Sequence, residues 1–311
     1  NLTDGGVTTL AETAADFAEV NTALTGGVLN GNEAVTITGD ITAVNVSTIL
    51  NNTSGVVTAT ISSDTAANLN SNLTNTSGND ALTLTVTNTP TDAADLVALN
   101  GKTNQQINLS AVTVISGDAS ELIDVYVTNI ADYSGLGNEA VSVDNTSSAA
   151  DVNTIATATS GVVTATITNG AVSSTLAAIT AVDVNDVITF TTTDSSVDAS
   201  DLVDLAAKVD TFTTTSVNTI TEAYNTVALT TEITDALEIV PNAAVTVTGG
   251  SITTTNANTI DGLTTGVVTA SISETDASTL ATVTDANGNN DYTATITTAS
   301  VDASVFNGIS N

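Results

Sequence analysis

The sequence predicts an α/β repeat solenoid, right-handed, with about twelve strand–turn–short-helix units of ~26 residues forming one continuous parallel sheet. Three observations predict it. One phrase recurs at a long period, period-2 segments recur at a shorter one, and a short helix-like phrase follows most of those segments. The same spacing admits an alternative, a parallel β-helix with single-turn helices.

TSGVVTAT at 53–60 recurs as TSGVVTAT at 159–166 and as TTGVVTAS at 264–271. The landmark glycines are Gly55, Gly161 and Gly266, so the steps are 106 and 105 residues. NEAVTIT from Asn32 and NEAVSVD from Asn138 agree, and PNAAVTVT holds the counterpart at Ala244. The chain thus reads as one continuous solenoid over 1–311, in tandem copies of approximately 1–106, 107–212 and 213–311. VFNGISN at the end leads in phase into NLTDGG at the beginning.

Each copy divides into four units that begin with an alternating, half-buried strand pattern. Aligned, the strands give a column of Thr8, Thr36, Thr58, Thr83, Thr113, Ser142, Thr164, Thr189, Thr219, Thr246, Thr269 and Thr293. Their neighbours are mostly apolar, as in Val57 and Ala59 or Ile188 and Phe190. Successive strand residues point to opposite faces, so the hydroxyls line one face and the apolar residues the other.

The helix-like phrases follow. TDAADLVAL at 91–99 offers Asp92 as N-cap and Leu96 and Leu99 as a buried stripe, and VDASDLVDL at 197–205 and VDASVF at 301–306 are its copies. Asp118, Asp198, Asp276 and Asp302 read as further caps. The longest candidates lie in the first unit of each copy, at 13–24, 119–133 and 222–239. Helices pack 8–10 Å apart and strands about 4.8 Å apart, so the stack must curve or its helices must shrink to single turns.

Composition excludes much chemistry. The 311 residues carry 34 Asp plus Glu against two lysines, for a net charge of −32, with no His, Cys, Arg, Met or Trp. Triads built on His or Cys are impossible, and zinc, haem and iron–sulfur sites lose their usual ligands. A chain so acidic repels nucleic acid and anionic membranes, and no apolar run reaches the length of a span. No pair of acids stands out from the repeat background, so no catalytic residue is expected and the chain is read as no enzyme.

The phrases LGNEAV at 136–141, AADVNTI at 149–155 and TSGVV at 53–57 resemble the repeats of giant cell-surface proteins of marine picocyanobacteria, a group that includes a large surface protein associated with non-flagellar swimming. The resemblance implies an extracellular, repetitive, Ca²⁺-dependent structural protein and carries over no catalytic residue.

Asp80, Asp186 and Asp291 read as matching positions in the turn before the fourth strand of each copy. The third copy is richest, with Asp285, Asn287, Asn289 and Asp291 in DANGNND, the first half of a D-x-N-x-N calcium loop; the second offers Asp183, Asn185 and Asp186. Ile296 stands where such a loop needs its bidentate Glu, and an Asx turn entering a strand explains the same residues. No cofactor is required; Ca²⁺ is the candidate ligand. Lys102 and Lys208 recur at one position, as snorkelling lysines or as partners in isopeptide staples. Asn45 and Asn145 are among the N-x-S/T sequons, which makes glycans candidate partners. The expected function is a structural repeat segment of an extracellular filament, sheath or surface layer. Its partners would be copies of itself, head to tail or within a longer chain. The alternative is an adhesin or ice-binding module using the Thr face.

Overall fold

The computed structural model describes residues 6–87, 90–225 and 229–309, so the join between 306–311 and 1–6 lies partly outside them. The chain forms two compact units, Asn1–Thr166 and Ile167–Asn311, each considered by itself. Both alternate parallel strands with short helices.

In the first unit β1 is Thr9–Thr13, α1 Phe17–Thr25, β2 Ala34–Ile41, α2 Ala43–Leu50, β3 Val57–Ile61, α3 Ala66–Asn72 and β4 Ala81–Thr83. Then come β5 Thr91–Asp92, α4 Ala93–Asn100, β6 Ile107–Asn108, β7 Val114–Gly117, α5 Ala119–Ile123, β8 Tyr133–Ser134, β9 Ala140–Ser147, α6 Ala149–Ala158 and β10 Val163–Ile167. The order β1-β2-β3-β4 makes one parallel sheet, β5-β7-β9-β10 another ladder, and β6 pairs with β8. In the second unit the elements are α7 Val172–Ala178, β11 Val187–Thr191, β12 Ser196–Asp198, α8 Ala199–Ala206, β13 Thr211–Thr213 and β14 Thr219–Ala223. They continue with α9 Leu229–Ile239, β15 Ala244–Ile252, α10 Thr254–Asp261, β16 Val268–Ile272, α11 Ala277–Leu280, β17 Asp291–Thr293 and α12 Ala303–Ile309. Here β11 pairs with β13, and β12-β14-β15-β16-β17 form a parallel sheet.

The strands therefore gather in several parallel sheets among the described residues, where the sequence suggested one uninterrupted sheet. After β4 the ladder thins to single bridges, Asp64 with Val86 and Thr85 with Asn108. The alternation itself is realised as expected. In β3 Val57, Ala59 and Ile61 are buried and Thr58 and Thr60 exposed; Val163, Ala165, Ile167 and Val268, Ala270, Ile272 repeat the pattern. Each fully buried Val, Ile or Leu contributes roughly 1.5–3 kcal/mol, and this seam of small side chains is the core.

Most helices run seven to eleven residues, with α5 and α11 shorter, so they are not uniformly single turns. Their caps are the expected ones. Asp92 accepts from Ala94 N at 2.8 Å, Asp198 from Ser200 N at 3.1 Å, Asp276 from Thr279 N at 3.1 Å and Asp302 from Ser304 N at 2.8 Å. At α5 Asp118 forms a capping box with Glu121, whose Oε2 accepts from Asp118 N at 3.1 Å. The long helices of the first units are shorter than their sequence suggested. Residues 9–13 and 219–223 are strands, and α5 passes into a π-helical turn over Asp124–Thr128. Of the helix candidates, Thr13 pairs with Thr38, Glu222 with Val247 and Ala223 with Thr248, so beside a waiting parallel edge the ladder wins over helix continuation. Among the described residues no helix is long and apolar enough to cross a membrane.

Candidate functional site

The hydroxyl column lies on the predicted face: Thr36, Thr58, Thr83, Thr164 and Thr293 are exposed, and Ser142, Thr189, Thr219, Thr246 and Thr269 half-exposed. Thr8 and Thr113 are exposed just ahead of β1 and β7. It is not one column in register. Thr36 sits beside Thr58 and Thr246 beside Thr269, as aligned. Elsewhere the neighbours are shifted by two: Thr60 beside Thr83, Thr221 beside Thr246, Ser271 beside Thr293. At β7 and β1 the offset is three: Ser142 stands beside Ser116, not Thr113, and Thr36 beside Ala11, not Thr8, so Thr113 and Thr8 fall on the alternation of Ile115 and Leu10 and not on the hydroxyl face. A slip of two keeps each residue on its face, so alternation alone does not fix it. The register also shifts inside β2, between Ile37 and Asp40, and inside β15, between Thr246 and Ser251, where Gly39 and Gly249 take φ of +85° and +73°.

The acidic turns serve the backbone. Asp80 is 2% exposed; its Oδ1 accepts from Val57 N at 2.8 Å and its Oδ2 from Ser77 N at 2.7 Å. Asp186 is buried and accepts from Asp183 N at 3.1 Å, and Asp183 Oδ1 accepts from Asn185 N at 2.7 Å. In the third copy the residue matching Asp80 is Asn290, which accepts from Val268 N at 2.8 Å. Asp291 is one place further on, beside Thr269 as Ala81 is beside Thr58. The extra residues of DANGNND hid that one-place offset from the sequence alignment. Asp285 accepts from Asn289 N at 3.0 Å, and the amides of Asn287 and Asn289 donate to Thr264 O at 3.4 Å and Thr265 O at 3.3 Å. Among the described residues no three acidic groups converge as a metal-ligand set. The two lysines donate to carbonyls, Lys102 Nζ to Leu73 O at 2.7 Å and Lys208 Nζ to Val182 O at 2.8 Å, holding the chain that leaves α3 and α7.

The most regular construction is one the sequence marked only as a landmark. Thr53 Oγ1 donates to Glu33 O at 2.6 Å and accepts from Gly55 N at 3.0 Å. Thr159 does the same with Glu139 O at 2.8 Å and Gly161 N at 3.0 Å, and Thr264 with Ala243 O at 2.7 Å and Gly266 N at 2.9 Å. A Cβ on Gly55, Gly161 or Gly266 would stand 2.3, 2.1 or 2.5 Å from that same carbonyl oxygen. The T-x-G phrase is thus a clamp between neighbouring coils, and its glycine recurs because only hydrogen fits.

Two clamped residues are buried acids. Glu33 is fully buried and accepts from Asn30 N at 2.9 Å. Glu139, 1% exposed, accepts at Oε2 from Gly137 N at 2.8 Å, Asn138 N at 3.2 Å and the Tyr126 hydroxyl at 3.2 Å. Burial first, and then the Glu139 charge, pushes the Tyr126 phenol far above its ordinary range. Glu33 Oε2 and Glu139 Oε1 have no hydrogen-bond partner. A third buried acid, Glu222 on β14, also holds an unpartnered oxygen, and burial, then Asp198 and Glu232, push its pKa up to about 6. In the same unit Asp194, Asp198 and Asp201 line a groove of about 320 Å³. Period-2 placement gave no sign of Glu33 and Glu139, since an acid next to the first strand residue reads as a turn residue.

No protein-family model, no curated protein and no solved structure matches the chain.

Proposed function

We propose that the chain is a structural repeat segment of an extracellular filament, sheath or surface layer, a right-handed solenoid whose copies join end to end. One observation carries this reading. A strand near the end of one copy pairs in parallel with a strand near the start of the next at both seams inside the chain, β5 with β7 and β12 with β14. Each copy is thereby a template for another of the same kind. A surface that binds a different surface of its neighbour propagates into a filament. The resemblance to picocyanobacterial surface repeats supports the extracellular setting. The −32 charge supports a solvated coat that keeps filaments apart until cations screen it. Copies of the chain are the partners, Ca²⁺ and glycans are candidate further ligands, and no catalysis is assigned. Electron microscopy of the concentrated chain, with and without a Ca²⁺ chelator, tests the reading. Filaments are expected; a stable soluble monomer under both conditions overturns it, and filaments indifferent to chelation remove Ca²⁺ from it.

The exposure of the hydroxyl column supports a second reading, an adhesin or ice-binding module on the Thr face. Thermal hysteresis and ice shaping are its signature, and their absence removes the ice-binding form.

A further inference from the structure

The two internal seams share one register. At the first, Thr91 pairs with Ile115 and Asp92 with Ser116. At the second, Ser196 pairs with Thr219, Val197 with Ile220 and Asp198 with Thr221. The positions correspond: TDA at 91–93 matches VDA at 197–199. Val114 and Thr219 match because they pair with Ala140 and Ala244, the same residue of successive copies. By the same rule Thr9, which pairs with Ala34, corresponds to Thr219, and Leu10 to Ile220. SVDAS recurs at 300–304.

At these corresponding positions the outer ends of the chain are apolar and uncovered. Thr91 and Val197 are 3% and 5% exposed, and Ile115 and Ile220 fully buried. Their counterparts Val301 and Leu10 are half-exposed. Leu96 and Leu202, which lie under the internal seams, are fully buried, whereas Phe306 in the same place on α12 is 54% exposed. Ala93 and Ala199 are likewise fully buried and Ala303 exposed. Among the described residues β1 has a strand partner on one side only, β2.

We infer that β1 of one copy receives the segment Ser300–Asp302 of a second copy of this chain, in parallel, with Ser300 opposite Thr9, Val301 opposite Leu10 and Asp302 opposite Ala11. This inference rests on the end-to-end reading above and specifies its joint. Burial of Val301, Leu10, Ala303 and Phe306 supplies the driving force, and main-chain pairing along an open edge supplies the direction. Asp302 already caps α12 as Asp198 caps α8, so the docking segment holds the turn that the internal seams use.

The chain has no cysteine, so cross-linking reads the register directly. T9C and S300C chains are mixed and oxidised, and the intramolecular pair S196C/T219C serves as the positive control. A covalent dimer is expected from T9C with S300C and its loss from A11C with S300C, because a slip of two places the Cα atoms beyond the ~7 Å limit of a disulfide. F306D, at a site exposed in the single chain, is expected to keep the monomer's circular dichroism and to lose the cross-link. Filaments without the T9C–S300C link, or equal linking by the slipped pair, overturn this joint and leave end-to-end assembly standing. Absence of both link and filaments overturns both.

Discussion

The turns before β2 and β9 and the turn before β15 are built on the same clamp and differ at one buried side chain. The first two place Glu33 and Glu139 under the strand; the third places Ala243, 3% exposed, in the same position. The carbonyl, the threonine hydroxyl and the glycine amide meet at the same distances in all three. The clamp therefore works through the backbone, and the acid is an addition to it. That addition leaves one oxygen of each carboxylate unbonded, at a cost that three donors around Glu139 Oε2 offset more fully than the single amide from Asn30 does for Glu33. A second contrast lies between Glu139, held by two amides and a hydroxyl, and Glu222, which accepts from the Ala223 and Ser200 backbone but faces the like charges of Asp198 and Glu232. Burial of an acid is tolerated at the first because donors satisfy it, and at the second because the group keeps its proton to a higher pH.

The largest effect expected is from Gly161→Ala, with Gly55→Ala and Gly266→Ala close behind. A Cβ so near a backbone carbonyl has nowhere to go, and a loss of about 3 kcal/mol is expected in urea unfolding. An equal loss in all three copies confirms a backbone clamp; tolerance at Gly266 alone would make the acid part of it. Thr53→Val, Thr159→Val and Thr264→Val keep the shape and remove both hydrogen bonds, and each is expected to cost about 1–2 kcal/mol.

Glu222→Gln tests the second contrast through pH. Folding raises the Glu222 pKa from 4.5 to about 6, so the fold binds this proton more tightly than the unfolded chain does. Stability from this group is complete below about pH 4.5 and is lost as pH rises through about 6. The variant should melt higher than the parent at pH 7 and lose that advantage at pH 4.5. A melting difference independent of pH would remove Glu222 from this role. Smaller is Glu139→Ala, the residue the third copy already uses. About 1 kcal/mol of loss is expected, and the Tyr126 phenol, with the charge and the hydrogen bond of Glu139 gone and burial alone left to raise it, should ionise at lower pH in an ultraviolet titration. Glu33→Ala should cost less still.

Much of this was legible in the residues. The repeat phrases, the inward Val/Ile/Ala positions and the caps Asp92, Asp198, Asp276 and Asp302 all follow from spacing and side-chain chemistry. Asn290 was missed in favour of Asp291 because the longer turn shifts the strand start by one place. Glu222 and Ala223 read as the start of a helix because Thr-Glu-Ala suits either element, and only the adjacent edges of β12 and β15 favour the strand.

By itself the sequence determined which face of most strands is buried, since a period of two and a set of apolar residues admit one answer; at β1 and β7 the ladder chose the opposite alternation, that of Leu10 and Ile115. Only the tertiary structure decided which threonine stands beside which. A slip of two residues leaves every side chain on its own face, so the choice falls to the clamps, bulges and turn lengths that set where each strand begins. The same holds for Glu33 and Glu139. Their burial follows from the coil packed against them, and no local pattern encodes the presence of a neighbouring coil.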